Sequence, residues 1–152
     1  MTSIEFAVQG LPVAKGSTRS FALKDKQGAY TGRTVTTSTA KDLAPWENLV
    51  RDRAAKAFEE AWAKDLAIDD NPFSDPVSVS LAFRLPKPKS APKTRRTWPT
   101  HRPDLDKLVR AVLDAITHTI IHDDSQVVQL TASKDFGSPG VTVRVEEIKE
   151  AD

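Results

Sequence analysis

The sequence predicts a single α/β domain of the α+β kind: a mixed or antiparallel sheet with two main helices packed on it. Three observations predict it. Several short runs alternate apolar and polar residues with the period of a strand. Two longer segments repeat apolar residues at helical spacing. The two kinds of segment interleave in the order β-β-β-α-β-α-β-β, with no internal repeat. The chain has 152 residues, 39% hydrophobic and 28% charged, which suits one domain over 1–152 with its own core.

The elements can be justified in turn. "SIEFAVQG" places Ile4, Phe6 and Val8 on one face of a first strand. "GLPVAKGSTRS" reads as a loop rich in Gly, Pro and Ser. "FALKDKQGAYTGRTVTT" reads as a hairpin turning near Lys26-Gln27-Gly28, with Thr34–Thr37 in its second strand. In "DLAPWENLVRDRAAKAFEEAWAK", Leu43, Trp46, Val50, Ala54, Ala57, Phe58 and Ala61 make a helical stripe. Asp42 can cap that helix and Pro45 fits only its first turn. Trp46 and Phe58 are therefore expected in the core. "DLAIDDNPFSDP" is an acidic turn, and "VSVSLAFRLP" alternates as a strand.

Segment 86–103 has five prolines and no apolar periodicity, and is expected to be a long, mobile, basic loop. Its one aromatic, Trp98, is expected to pack the loop onto the body, with base stacking as the alternative. A second helix follows over about Asp104 to Thr117, with Leu105, Leu108, Val109, Val112, Leu113 and Ile116 on its apolar side. "VVQLTASKDF" and "GVTVRVEEI" read as two strands joined at "GSPG" into an antiparallel pair.

Composition excludes several classes. With no cysteine there are no disulfides, thiolate metal sites or Cys nucleophiles. No apolar run approaches a membrane span, and the N-terminus has no secretory signal pattern. A cytoplasmic location is expected. The net charge of +1 hides an asymmetry: residues 11–102 carry 17 Lys+Arg against 10 Asp+Glu, and residues 103–152 carry 5 against 10. Lys87, Lys89, Lys93, Arg95, Arg96 and Arg102 crowd the loop without an acid. A basic arm beside an acidic cluster suits a polyanion whose phosphates meet carboxylates through bound cations; a solvated loop is the plainer reading.

The acids lie in "RPDLDKLVRAVLDAITHTIIHDDSQV". Asp104 follows Pro103 at a helix entrance, where residues i and i+2 can point the same way, so Asp104 and Asp106 can converge. Helix capping and the dipole explain the same pair. Asp123-Asp124 is a turn on the plain reading, yet clustered carboxylates repel and a cation is the usual remedy. Oxygen ligands without sulfur favour Mg²⁺ or Mn²⁺. Neither the calcium-loop spacing nor a Walker phosphate loop is met. His118 and His122 lie across an expected bend at the helix exit and lack a third ligand for zinc. Asp106, Arg110 and Asp114 fall at i, i+4 and i+8, the spacing of a salt-bridge ladder.

These residues resemble the RusA-type family of crossover junction (Holliday junction) endodeoxyribonucleases, common in prophages and bacteria. The likeness is dense over 102–134, from the Arg-Pro-Asp-x-Asp opening to the Asp-Asp-Ser-Gln strand entrance. "GLPVAKGSTR" is similar to the family's N-terminal loop through Pro12, Lys15 and Arg19. The resemblance implies a homodimeric, Mg²⁺-dependent nuclease that nicks opposed strands of a four-way junction. It implies metal-holding acids at Asp104, Asp106 and Asp124, with Asp123 and Asp114 assisting. The family's Asn after the acidic pair is Lys107 here, and its essential lysine falls on Arg110. Arg110, Lys107 and Lys15 would then stabilise the reacting phosphate. Arg19, Lys87, Lys89, Lys93, Arg95, Arg96, Arg102 and Lys134 would hold DNA. A DNA binder of the same fold, and a nuclease on other branched DNA, remain alternatives.

Overall fold

The computed structural model describes residues 2–16, 18–38, 41–64 and 72–149, apart from the side chains of 18–23 and 33–38. Its elements follow in the expected order: β1 (Ser3–Gln9), β2 (Thr18–Lys24), β3 (Tyr30–Ser38), α1 (Leu43–Lys64), β4 (Val77–Leu85), α2 (Leu105–Ile116), β5 (Val127–Phe136) and β6 (Gly140–Glu147). Of the acidic turn, residues 65–71 lie outside the described residues. No helix among the described residues is long and apolar enough to cross a membrane.

β2 and β3 form a separate antiparallel hairpin that turns where the sequence places it. The Asp25 carboxylate accepts from the backbone N–H groups of Gln27 and Ala29 at 2.9 and 2.8 Å. Gly28 completes the turn at φ 83°, a conformation that resists any side chain.

The remaining strands make one mixed sheet in the order β1-β6-β4-β5. Three rows of side chains cross it: Ile4–Val145–Val79–Leu130, Phe6–Val143–Leu81–Ala132, and Val8–Val141–Phe83–Lys134. The first three members of each row are buried. Against them pack Trp46, Val50, Ala54 and Phe58 of α1 and Leu108, Val112 and Ile116 of α2. Trp46 and Phe58 are thus core residues, as expected. Burying a side chain such as Leu108 contributes roughly 1.5–3 kcal/mol.

One expectation is corrected. β5 and β6 are not an antiparallel pair. β6 lies between β1 and β4, antiparallel to both, while β5 runs parallel to β4 on its far side. The "GSPG" link therefore crosses the end of β4. Strands spaced about 4.8 Å apart put β5 and β6 about 10 Å from each other, within reach of three residues. β4 holds the crossing: Gly137 N–H donates to Leu85 C=O at 2.9 Å, and Arg84 Nε–H donates to Ser138 C=O at 3.2 Å. Apolar alternation is the same for a hairpin and for this crossing, so periodicity cannot choose between them.

The crossing ends at Gly140, where an added Cβ would stand 2.3 Å from the Val8 carbonyl oxygen. Gly140→Ala must push β1 away from β6. It is expected to lower stability by about 1–3 kcal/mol, read as a lower urea midpoint at unchanged slope.

Candidate active site

Two parallel neighbouring strands need a crossover, and α2 is that crossover between β4 and β5. Its first residues stand beyond the end of β4. Asp104 takes the N-cap position with extended backbone (φ −71°, ψ 138°), and its carbonyl accepts the first helical bond from Leu108 N–H at 3.1 Å. Its side chain makes no capping hydrogen bond. The carboxylate instead lies 3.1 Å from the Lys107 ammonium and stays 49% exposed. The capping explanation of Asp104 therefore fails. Asp106, in the first turn, is exposed.

At the other end, Thr117 is extended and His118 adopts φ 69°, the bend expected there. The chain returns to β5 through a short 3-10 turn, Asp124–Gln126, capped by Asp123. Gln126 is its hub. Its Oε1 accepts from His122 and Asp123 N–H at 2.8 and 2.9 Å, and its Nε2 donates to the Phe73 and Asp75 carbonyls at 2.7 and 3.0 Å. Both donors and both acceptor positions of the amide are used. Sequence reasoning does not assign this role to Gln126, although Asp-x-x-Gln is a capping-box spacing. A hydrogen bond between the Asp123 and Asp124 carboxyls raises Asp124 above the ordinary carboxylate pKa and lowers Asp123. Slight desolvation and the charges of Asp123 and Asp114 push the exposed Asp124 the same way, while the Ser125 N–H helps to lower Asp123.

Between these ends the N-terminal loop docks on α2. Lys15 N–H donates to Lys107 C=O at 3.0 Å. The Lys15 ammonium reaches Asp114 at 2.8 Å and Glu47 of α1 at 3.2 Å, tying both helices to the loop. The hydrogen bond to Asp114, with Glu47 adding to it, raises the Lys15 pKa against the opposing effect of burial. Asp106 and Arg110 make no ion pair among the described residues, so the expected ladder is replaced by the Lys15 link, which takes Asp114. The Arg110 guanidinium lies beside Gly16, 3.1 Å from where a Cβ would stand.

Segment 86–103 has no helix or strand, and Lys87, Lys89, Lys93, Arg95 and Arg102 are exposed. Its second half is tied to β5. Arg96 pairs with Asp135 and stacks its guanidinium 4.0 Å over Trp98. Trp98 is 59% exposed, so it does not pack the loop down. Lys134 donates to the carbonyls of His101 and Pro103, both at 2.8 Å. The Arg19 side chain lies outside the described residues. A groove of about 920 Å³ opens at the entrance of α2, with Leu11, Pro12, Pro99, Arg102, Asp104 and Lys107 among its walls.

The single chain does not gather the candidate acids. α2 has 12 residues, so at 1.5 Å each its ends are about 18 Å apart. Asp104 and Asp106 stand at one end. Asp123 and Asp124 stand at the other, near enough to Asp114 for its charge to act on Asp124. Among the described residues no three acidic or histidine side chains are grouped closely enough to hold an ion. The expected meeting of Asp104, Asp106 and Asp124 within one chain is corrected by the crossover that separates them. Chemically the set still fits a hard divalent ion: every donor is a carboxylate oxygen, and the raised Asp124 pKa reflects crowding that a cation relieves.

The family described as "Endodeoxyribonuclease RusA" matches residues 24–146. The chain is also similar to uncharacterized protein YqaN of Bacillus subtilis (strain 168), 29% identical over 161 residues, covering 97% of this chain and 99% of that protein.

Lys15→Met leaves Glu47 and Asp114 without their cation and is expected to cost about 1 kcal/mol, read by urea unfolding. The Lys15 pKa is raised above 10.5 on folding. Its stabilisation is complete below that value and lost as pH climbs through the raised one. The gap between wild type and variant should stay constant from pH 7 to about 10 and narrow only above it. Gln126→Leu strands four backbone groups and is expected to cost about 2 kcal/mol, with faster hydrogen exchange at His122 and Asp123.

Proposed function

From the chain's membership of the RusA endodeoxyribonuclease family, we propose that it is a Mg²⁺-dependent, structure-selective endonuclease. It resolves Holliday junctions by paired nicking in recombination and repair, acting as a homodimer in the cytoplasm. The observation that carries this reading is Asp104: a carboxylate at a helix entrance that does not cap, beside a groove rimmed by Lys107 and Arg102. Asp104, Asp106, Asp123 and Asp124 are the residues that would hold Mg²⁺ or Mn²⁺. Such an ion supplies Lewis acidity and a bound water that ionises near neutral pH.

The chain's own residues do the rest. Asp104 and Asp106 would hold the cation beside the scissile phosphate at the mouth of α2, where the positive end of the helix dipole also favours the phosphate. Arg110 keeps the positive charge of the family lysine but stays protonated, so it clamps phosphate oxygens and does not carry a proton. Lys107, already beside Asp104, offsets charge that builds on the phosphate. The exposed cations of 86–103 track the DNA arms. Two opposed nicks need two equivalent sites, which a two-fold dimer supplies.

A second reading, a junction binder without turnover, is favoured by one feature: Arg110 in place of the lysine. Labelled four-way junction, linear duplex and flap DNA, each with and without Mg²⁺, separate the two. Paired nicks confined to the junction and dependent on the ion are expected; a mobility shift without nicks would favour the binder. Asp104→Asn is expected to cut nicking roughly a hundredfold or more while junction binding persists. Replacing Lys93 and Arg95 by Ala should lower the slope of log affinity against log salt by about 2, one unit per lost phosphate contact.

A further inference from the structure

We propose that the exposed ring of Trp98 is a stacking site for a nucleobase face laid bare at the branch point of DNA. This contact, rather than the cations of the loop, tells branched from linear DNA. It rests on the nuclease reading above for the class of substrate, and adds how that substrate is recognised.

The first observation is an indole that the fold does not use. Trp98 is 59% exposed, and among the described residues it belongs neither to the core nor to the partly buried side chains packed on it. An indole is one of the largest apolar surfaces a side chain can bury, so leaving it in water forgoes more than any other residue of the loop could.

The second observation is the mount of the ring. The Arg96 guanidinium lies 4.0 Å from its centroid and covers one face. Arg96 is itself held by Asp135 of β5. On the other side of Trp98, Pro99 is buried and Thr100 N–H donates to the Trp98 carbonyl at 2.9 Å. Lys134, the neighbour of Asp135, then holds the carbonyls of His101 and Pro103. The end of one strand thus fixes the chain both before and after the indole. With one face under a guanidinium and more than half of the residue exposed, the other face is open. A ring fixed in advance loses little freedom when a ligand stacks on it.

The surroundings specify the ligand. Lys87, Lys89, Lys93, Arg95 and Arg102 are exposed in the same loop, so what meets the ring carries many negative charges as well as a flat apolar face. Nucleic acid has both. Contacts to phosphate hold duplex and branch alike and carry no selectivity of their own. Inside a duplex every base is covered by its stacked neighbours. A branch point held open interrupts the stack and bares a face, which is where an indole gains a partner that linear DNA withholds. The position agrees. Trp98 precedes Asp104 by six residues, so at about 3.3–3.6 Å per residue the two lie within roughly 20 Å. That is about six base steps along a strand. Pro99, Arg102 and Asp104 line one groove, so a strand stacked at Trp98 reaches the helix entrance through it.

The test uses full-length protein without divalent ions, so that binding is read apart from nicking. A four-way junction is compared with linear duplexes made from the same arm sequences, which carry the same ends and lack only the branch. Trp98→Ala is expected to weaken junction binding about tenfold and to leave duplex binding unchanged. Its slope of log affinity against log salt should match wild type, because a stacking contact releases no counterion. Trp98→Phe, which keeps a flat face, should restore most of the affinity. In a Trp62→Phe background Trp98 is the exposed indole beside the buried Trp46, and junction should quench its fluorescence where duplex does not. Equal loss on junction and duplex, a lowered salt slope, or no quenching by junction overturns the proposal. So does a Trp98→Ala protein whose native mass changes, since the ring then belongs to a contact between copies. Quenching and selectivity in a wild-type protein that nicks nothing when Mg²⁺ is added would sink the nuclease reading and leave the stacking site standing. Junction nicking with Trp98→Ala as selective as wild type would do the reverse.

Discussion

The parallel pairing of β4 with β5 is the constraint on which the rest of the molecule depends. Parallel neighbours cannot be joined by a tight turn, so the chain must travel back along the sheet before β5 begins. α2 makes that journey, and its apolar side closes the core above β4. The candidate acidic pairs sit at the two ends of this one helix. Asp104 and Asp106 mark its beginning, and Asp123 and Asp124 follow its exit. A hairpin of β4 and β5 would have left neither end.

Few side chains hold the irregular segments against this frame, and each spans a long stretch of sequence. Lys15 joins the N-terminal loop to Glu47 and Asp114. Gln126 joins the acidic turn to Phe73 and Asp75. Lys134 and its neighbour Asp135 both hold the basic loop, at His101, Pro103 and Arg96. Successive strand residues point to opposite faces, so the loop is gripped around the end of β5 from both sides. Apart from those of the neutral Gln126 amide, these bonds combine ions with backbone carbonyls or carboxylates, the stronger class of hydrogen bond. They fix where the helix begins and where the acidic turn lies without adding to the hydrophobic core.

The charges follow a division of labour. Cations that the fold consumes, Lys15 and Lys134, are engaged by carboxylates or carbonyls. Those of the loop tip, Lys87, Lys89, Lys93 and Arg95, make no ion pair among the described residues and face solvent, where a polyanion can reach them. The acids divide likewise: Asp114 is neutralised by Lys15, whereas Asp123 and Asp124 stand side by side, which raises Asp124 above the ordinary carboxylate pKa.

The sequence by itself determined the elements and most of the core. Helical and strand periods place Trp46, Phe58, Leu108 and Ile116 inside whatever their partners are, because burial of one face is a local property. The Arg-Pro-Asp-x-Asp and Asp-Asp-Ser-Gln motifs mark the candidate acids because each is a short contiguous run. Which strand lies beside which was decided only in three dimensions. β5 and β6 alternate identically as a hairpin or as separated strands, and the choice depends on Val8, Arg84 and Leu85, far away in the chain. The spacing of the acids was decided there too. Nineteen residues from Asp104 to Asp123 say nothing of distance until a helix is laid between them, and its length holds the two pairs apart.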